Sequence, residues 1–255
     1  MEFSEEVFPF QKFSGEMFDF GSEIPEFHVF RAFVDRIRRR LHKLIIMSLY
    51  LSAARVCEVC RRVCPSDLTK PYGIFSNWTF ADYLGEKVLL LRFCISKRLR
   101  KKEKKEVLNR FLAEFKNGRF NVKLAKELKN ALSWKIIALP VNPKFEPWTI
   151  PLIKFIKENG SLSFNLTRQH IWRIVKENLK ELDRDVHTHS LRHYRITHLH
   201  QIYDFDAWDL SAYAGWTVKT SLGRMGMPIP SEQLDVYLHL SWKRYFPKLL
   251  KPLRI

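Results

Sequence analysis

The chain has 255 residues, a formal net charge of +17, and a composition that is 46% hydrophobic and 14% aromatic. That bulk suffices for one large packed domain or two small ones and excludes a disordered polymer, and no run of about 20 apolar residues is present to span a bilayer. The excess of Lys and Arg points to a polyanionic partner, because neutralising phosphates releases condensed counterions.

The charge is unevenly spread. Residues 1–27 carry Glu2, Glu5, Glu6, Glu16, Asp19, Glu23 and Glu26 against Lys12, which leaves +23 on residues 28–255. Phe3, Phe8, Phe10, Phe13, Phe18, Phe20 and Phe27 are interleaved with those acids, and Pro9, Gly15, Gly21 and Pro25 interrupt any regular period. The stretch reads as an acidic, Phe-rich arm. It either packs on its own domain, docks on a neighbouring subunit, or shields the basic body until a polyanion arrives. No cationic leader with an apolar core opens the chain, so the expected location is the cytoplasm.

From about Pro25 to Leu51, Phe30, Phe33, Val34, Ile37, Leu41, Leu44, Ile45 and Leu49 recur at helical spacing, with Arg36, Arg38, Arg39, Arg40 and Lys43 around them. A second helix is expected over Arg55 to Val63, stopped by Pro65, with Asp67 following. It holds Arg55 and Glu58 one turn apart, a spacing that also suits a plain surface ion pair. Cys57, Cys60 and Cys64 would share one face of it; with Cys94 they could form a metal or iron–sulfur set, but buried thiols packing as small hydrophobes is the better reading.

Lys87 to Ile95 and Trp134 to Pro140 read as paired strands. Between them lie the basic run Lys97 to Lys105 and two amphipathic stretches, Val107 to Phe115 and Val122 to Leu132, which predict a helical insertion at residues 98–133. Pro151 to Glu158 and Thr167 to Leu179 are expected to be scaffold helices, the second capped by Asn165 or Thr167. Thr188 or Ser190 then opens a helix carrying His189-Ser190-Leu191-Arg192-His193. His189 and Arg192 project from one face of it, so imidazole and guanidinium can converge on a small anion such as phosphate. His187, His189, His193, His198 and His200 form no compact four-ligand set, and Asp204, Asp206 and Asp209 lack a calcium-loop pattern; Asp206 is the expected cap of a helix from Ala207 to Tyr213. Gly215-Trp216 follows, then a Gly- and Pro-containing stretch, then Tyr237-Leu238-His239, and a basic amphipathic end from Leu238 to Leu250.

Taken together and in this order, Arg55-x-x-Glu58, His189-x-x-Arg192-His193, Gly215-Trp216 and Tyr237-x-His239 resemble the tyrosine recombinases, the phage-integrase type of DNA strand-exchange enzyme. The resemblance runs from about Ser52 to Tyr237, and Trp216 after the glycine is similar to the archaeal virus and plasmid integrases. It implies an α+β, mainly α-helical catalytic domain over residues 28–255 with a small antiparallel sheet. It also implies site-specific cleavage and rejoining of double-stranded DNA through a 3′-phosphotyrosine, with no metal or cofactor. Tyr237 would be the nucleophile, in preference to Tyr213 or Tyr245. Arg55 and Arg192 would clamp the scissile phosphate, with His189 and Trp216 beside it and Glu58 behind. The leaving-group lysine would be Lys97, with Lys101, Lys102 and Lys135 as alternatives. A homotetramer on DNA is implied. The 27 residues before the first helix are too few for the DNA-clamping domain usual in the family, so the expectation is a catalytic domain standing nearly alone, either naturally minimal or the larger part of a divided protein whose DNA-clamping domain is a separate domain or chain. The alternatives are a non-cleaving DNA-binding remnant, half of a split integrase, or a type IB topoisomerase-like relaxing enzyme. Two departures stand out: the insertion at the lysine hairpin, and a longer spacing from Trp216 to Tyr237 than the family commonly has.

Overall fold

In the computed structural model, which describes residues 24–62, 73, 76–95, 102–116, 123–124, 127, 134–216 and 241–253, the apolar period before Ser52 is carried by two helices rather than one. Helix α1 spans Phe27–Asp35 and α2 spans Arg40–Ser52. The break falls where Arg38, Arg39 and Arg40 would crowd like charge onto one helix, and it lets α1 turn back so that Phe30 and Val34 face the buried stretch of α2. Lys43 closes the corner by donating to the Asp35 carbonyl at 2.9 Å and pairing with its carboxylate at 3.0 Å.

Helix α2 is buried from Leu44 to Ser52. Its two serine hydroxyls are satisfied inside the helix, Ser48 on the Leu44 carbonyl and Ser52 on the Ser48 carbonyl. It ends where Ala53 takes a left-handed conformation (φ 42°). The helix expected over Arg55 to Val63 shrinks to α3, Val56–Val59, because Cys60 leaves it to bridge Phe164; the Phe164 N–H donates to the Val59 carbonyl at 2.7 Å and the Arg61 N–H to the Phe164 carbonyl at 2.8 Å. Gly73 packs onto the Cys60 carbonyl so closely that a Cβ there would lie 2.4 Å from it. Cys57 and Cys60 are therefore not neighbours on one long helix face. They and Cys94 are buried, Cys64 lies outside the described residues, and no His, Cys, Asp or Glu group suited to a metal occurs among the described residues.

The sheet has three antiparallel strands among the described residues, β1 (Asn77–Tyr83), β2 (Glu86–Cys94) and β3 (Trp134–Pro140), in that order. Strand β1 adds to the two read from sequence; it joins β2 through Leu84 and Gly85, both at positive φ (54° and 75°), the conformation that a tight hairpin demands. Helix α4, Lys102–Lys116, lies in the connection from β2 to β3, where the insertion was expected.

Helices α5 (Thr149–Asn159), α6 (Arg168–Leu179), α7 (Thr188–Tyr203) and α8 (Ala207–Ala214) complete the body, followed by the short α9 (Trp242–Tyr245) and a 3-10 turn, Phe246–Leu250. The hydroxyl of Thr167 caps α6 by accepting from the His170 N–H, and Asp206 caps α8 by accepting from the Trp208 and Asp209 N–H groups. Helix α2 touches α1, α3, α5, α6 and α7, so the molecule is built around it. A buried bidentate pair, Arg31 on Glu146 at 2.8 and 3.1 Å, ties α1 to the loop before α5.

The chain's end packs on its own body. Arg244 reaches Asp206 (2.7 Å) and Asp209 (3.0 Å), Lys248 reaches Asp209 (2.5 Å), and Lys251 pairs with Asp204. Tyr245 is buried against the sheet, where its hydroxyl accepts from the Ala138 N–H (2.9 Å) and donates to the Ile136 carbonyl (3.1 Å) along the outer side of β3. The architecture is α+β and mainly helical with a small antiparallel sheet, and no helix among the described residues is long and apolar enough to cross a membrane.

Candidate active site

The site is assembled at the carbonyl end of α2, where aligned peptide dipoles leave partial negative charge that attracts cations. Two cations meet there. Lys135 donates from Nζ to the Ser52 carbonyl (3.1 Å) and the Ala53 carbonyl (3.2 Å), and Arg192 donates from Nη1 to the same Ala53 carbonyl. The second terminal nitrogen of Arg192 donates to the Ala214 carbonyl at 2.9 Å, so the plane of its guanidinium is fixed by the C-terminal ends of two helices.

Arg55 enters from the residue before α3. Its backbone N–H donates to Glu58 Oε2 and its Nη1 pairs with Oε1, both at 3.1 Å. Glu58 is buried, and its Oε2 also lies 3.4 Å from Lys135 Nζ. Burial alone would raise its pKa, but Lys135, Arg192 and Arg55 outweigh that and hold the carboxyl below the ordinary range. Burial works the other way on Lys135, only 3% exposed: together with Arg192 and Arg55, and against the pull of Glu58, it brings the ammonium down to about 7.

Helix α7 supplies the other groups. His187 precedes its first turn, with Nδ1 2.7 Å from the Ser190 hydroxyl, which accepts the His187 N–H at 3.1 Å. This fixes the start of the helix and therefore where His189 and Arg192 emerge. His189 is solvent-exposed at the residue level, with its ring edge-on to His193 at 4.5 Å. Partial desolvation of the ring, then the positive neighbourhood of His193, Arg192, His187 and Arg55, lowers its pKa to about 3, so it is a neutral imidazole at neutral pH. Gly215 ends α8 at φ 67°, and Trp216 places its ring 5.4 Å from the Arg192 guanidinium. A Cβ on Gly215 would meet Lys135 Cβ and Ile95 Cδ1 at 3.1 Å, so the missing side chain is what admits the lysine.

Five of the seven residues singled out in the sequence, Arg55, Glu58, His189, Arg192 and Trp216, thus share neighbours although they come from three distant stretches. Lys97 and Tyr237 lie outside the described residues, as do Asp67 and Lys101. Tyr245 and Tyr213 are buried with raised pKa values. Burial is the main cause in each, and their hydroxyls serve as struts on Ile136, Ala138 and Leu51 rather than facing a substrate. Lys135, only an alternative in the sequence, is the described lysine that the fold puts here. The signal was its alternation with Ile137 and Leu139: a charged side chain on the inward face of a strand needs a partner. Arg192 departs from expectation, because it is 1% exposed and its terminal nitrogens serve main-chain carbonyls. Arg55, with 18% of its side chain exposed, is the more accessible guanidinium.

Three cations surrounding one carboxylate leave the site positive, which suits a phosphate. Compared with known proteins, the chain matches no family model, no curated protein and no solved structure.

Proposed function

We propose that the protein is a site-specific DNA recombinase of the tyrosine type, which cleaves and rejoins DNA through a 3′-phosphotyrosine. The observation that carries this reading is the convergence of Arg55, Glu58, His189, Arg192 and Trp216 at the end of α2, from positions up to 161 residues apart in the sequence. The +23 charge of residues 28–255 supports DNA as the partner, as does the outer face of α6, where Trp172 is 46% exposed beside the exposed Arg168 and Arg173.

In the proposed reaction the Tyr237 oxygen attacks phosphorus, the bond from phosphorus to the 5′-oxygen breaks, and the leaving oxygen takes a proton from Lys97. A free phenol titrates near 10, so it needs help at neutral pH. Neutral His189 is able to accept a hydrogen bond from the phenol, whose proton passes to solvent as the bond to phosphorus forms, and Arg55 with Arg192 offsets the charge that builds on the phosphate oxygens. Rejoining runs the same steps backward with a 5′-hydroxyl from another duplex. The phosphotyrosine conserves the bond, so no nucleotide cofactor is consumed, and four subunits holding two duplexes complete the exchange.

One observation favours a second reading, DNA binding without cleavage: Arg192 is buried and committed to the main chain. Nicked duplexes that release a short piece after attack separate the two. On a denaturing gel, wild type forms a covalent adduct, Tyr237→Phe forms none and Tyr245→Phe, if folded, still does. Salt-sensitive binding with no adduct on a broad pool of duplexes selects the second reading.

A further inference from the structure

We infer that Lys135 is a positioning residue, the central link of a hydrogen-bond chain that fixes the Arg55 and Arg192 guanidiniums relative to each other. The inference rests on the strand-transfer reading above. The chain runs from Arg55 Nη1 to Glu58 Oε1 (3.1 Å), from Glu58 Oε2 to Lys135 Nζ (3.4 Å), from Lys135 Nζ to the Ala53 carbonyl (3.2 Å), and from that carbonyl to Arg192 Nη1.

The geometry distinguishes a brace from a proton donor. An ammonium has three N–H bonds and no acceptor. Here three oxygens surround Nζ, those of Ser52, Ala53 and Glu58, with the side chain packed over Phe93 and under Gly215. The whole donor capacity of Lys135 is therefore spent within the protein, and at 3% exposure it presents nothing to a departing oxygen. Both arginines depend on it. Without the ammonium, Glu58 keeps Arg55 but loses its tether to α2, and the Ala53 carbonyl keeps only the guanidinium of Arg192.

The charged and titratable groups around Lys135 are Glu58 and Arg55 beside α3, Arg192 on α7, and Cys94 on β2, whose thiol burial and Glu58 push up to about 12. Cys94 therefore stays protonated through neutral pH, whereas Lys135 is brought down to about 7.

The test compares Lys135→Met and Lys135→Gln with wild type, each checked for folding by circular dichroism, on nicked duplexes whose leaving atom is either the natural 5′-oxygen or a bridging sulfur. Sulfur departs without needing a proton, so it rescues the loss of an acid but not the loss of alignment. The expected result is a fall of about 100-fold in the rate of adduct formation on both duplexes, with KM little changed, because a misplaced catalytic group costs about that much. Adding Lys135→Met to Arg55→Ala costs clearly less than the about 100-fold it costs in wild type, since only the part of the brace that acts through Arg192 is left to lose. Rescue by sulfur, full additivity with Arg55→Ala, or an unchanged rate each overturns the proposal. A DNA-free arm compares wild type with Lys135→Gln at one pH: the Nε–H resonances of Arg55 and Arg192 both shift when the ammonium is lost, while that of Arg31, held by Glu146, does not. If those resonances stay still, the brace fails whatever happens on DNA. If they shift but wild type forms no adduct, the brace stands and the recombinase reading fails.

Discussion

At the scale of single residues, His198 is held in one tautomer. Its Nε2 lies 2.9 Å from the Pro25 carbonyl, which only accepts, so that nitrogen bears the proton and Nδ1 accepts from the Tyr50 hydroxyl at 2.8 Å. Burial, and then the nearby Arg195 and Arg31, lowers its pKa to about 4, although the Pro25 carbonyl pulls the other way. An unfolded histidine titrates near 6.5, so as pH falls from there toward 4 the unfolded chain takes up the proton first and stability is lost; the contribution is complete above about 6.5 and amounts to roughly 3 kcal/mol. Urea midpoints measured from pH 7 to 4 should fall in wild type and fall distinctly less in His198→Gln. Gly215→Ala places a Cβ at positive φ and against Lys135, and should cost about 1–3 kcal/mol in the same assay. Residue types and spacings made Arg55, His189, Arg192 and Trp216 visible in the sequence. What Arg192 and Lys135 do was not visible, because it depends on Ser52 and Ala53 carbonyls more than 80 residues away.

At the scale of elements, legibility followed how local the cause was. Helix α8 was readable because its start is set within four residues, by the Asp206 carboxylate on two successive N–H groups. The division of α1 from α2 was not, since Ile37 continues the apolar period across a break that only the packing of Phe30 and Val34 requires. Strand β1 escaped notice because its residues are exposed or only half-buried, so no run of apolar side chains marks it. Its hairpin holds Leu84 at φ 54° with 58% exposure, a strained place for a large apolar residue. Leu84→Asn creates the Asn-Gly pair that such turns favour and should raise stability by about 0.5–1 kcal/mol, seen as a higher thermal midpoint. The ionic attachment of Arg244 and Lys248 to Asp209 should weaken in Asp209→Asn, which is read as faster proteolysis near residue 241 than in wild type.

For the whole molecule, the separation of an acidic residue 1–27 stretch from a body of +23 predicts binding governed by counterion release. The apparent affinity for duplex DNA should fall steeply and linearly on a log–log plot against salt. Arg173→Gln on α6 and Arg39→Gln at the α1–α2 corner should each reduce the slope by about one if that side chain meets a phosphate, with little change in sequence preference. Fluorescence anisotropy over a salt series measures this. The α+β class was readable in outline, because strands and helices each leave a period. How α2 gathers five helices was not, because a helix apolar on nearly every side announces burial without naming its neighbours. The Tyr245 hydroxyl bears on the molecule in another way. A sheet polymerises with copies of itself only through unsatisfied rims, and by occupying the Ile136 carbonyl and Ala138 N–H one phenol closes a hydrogen-bonding pair on the β3 rim. Removing residues 241–255 therefore reopens that rim and uncovers the Tyr83 and Tyr213 rings that Phe246 and Tyr245 pack against, and the shortened protein is expected to form fibrillar or amorphous precipitate under conditions where the full chain stays dispersed.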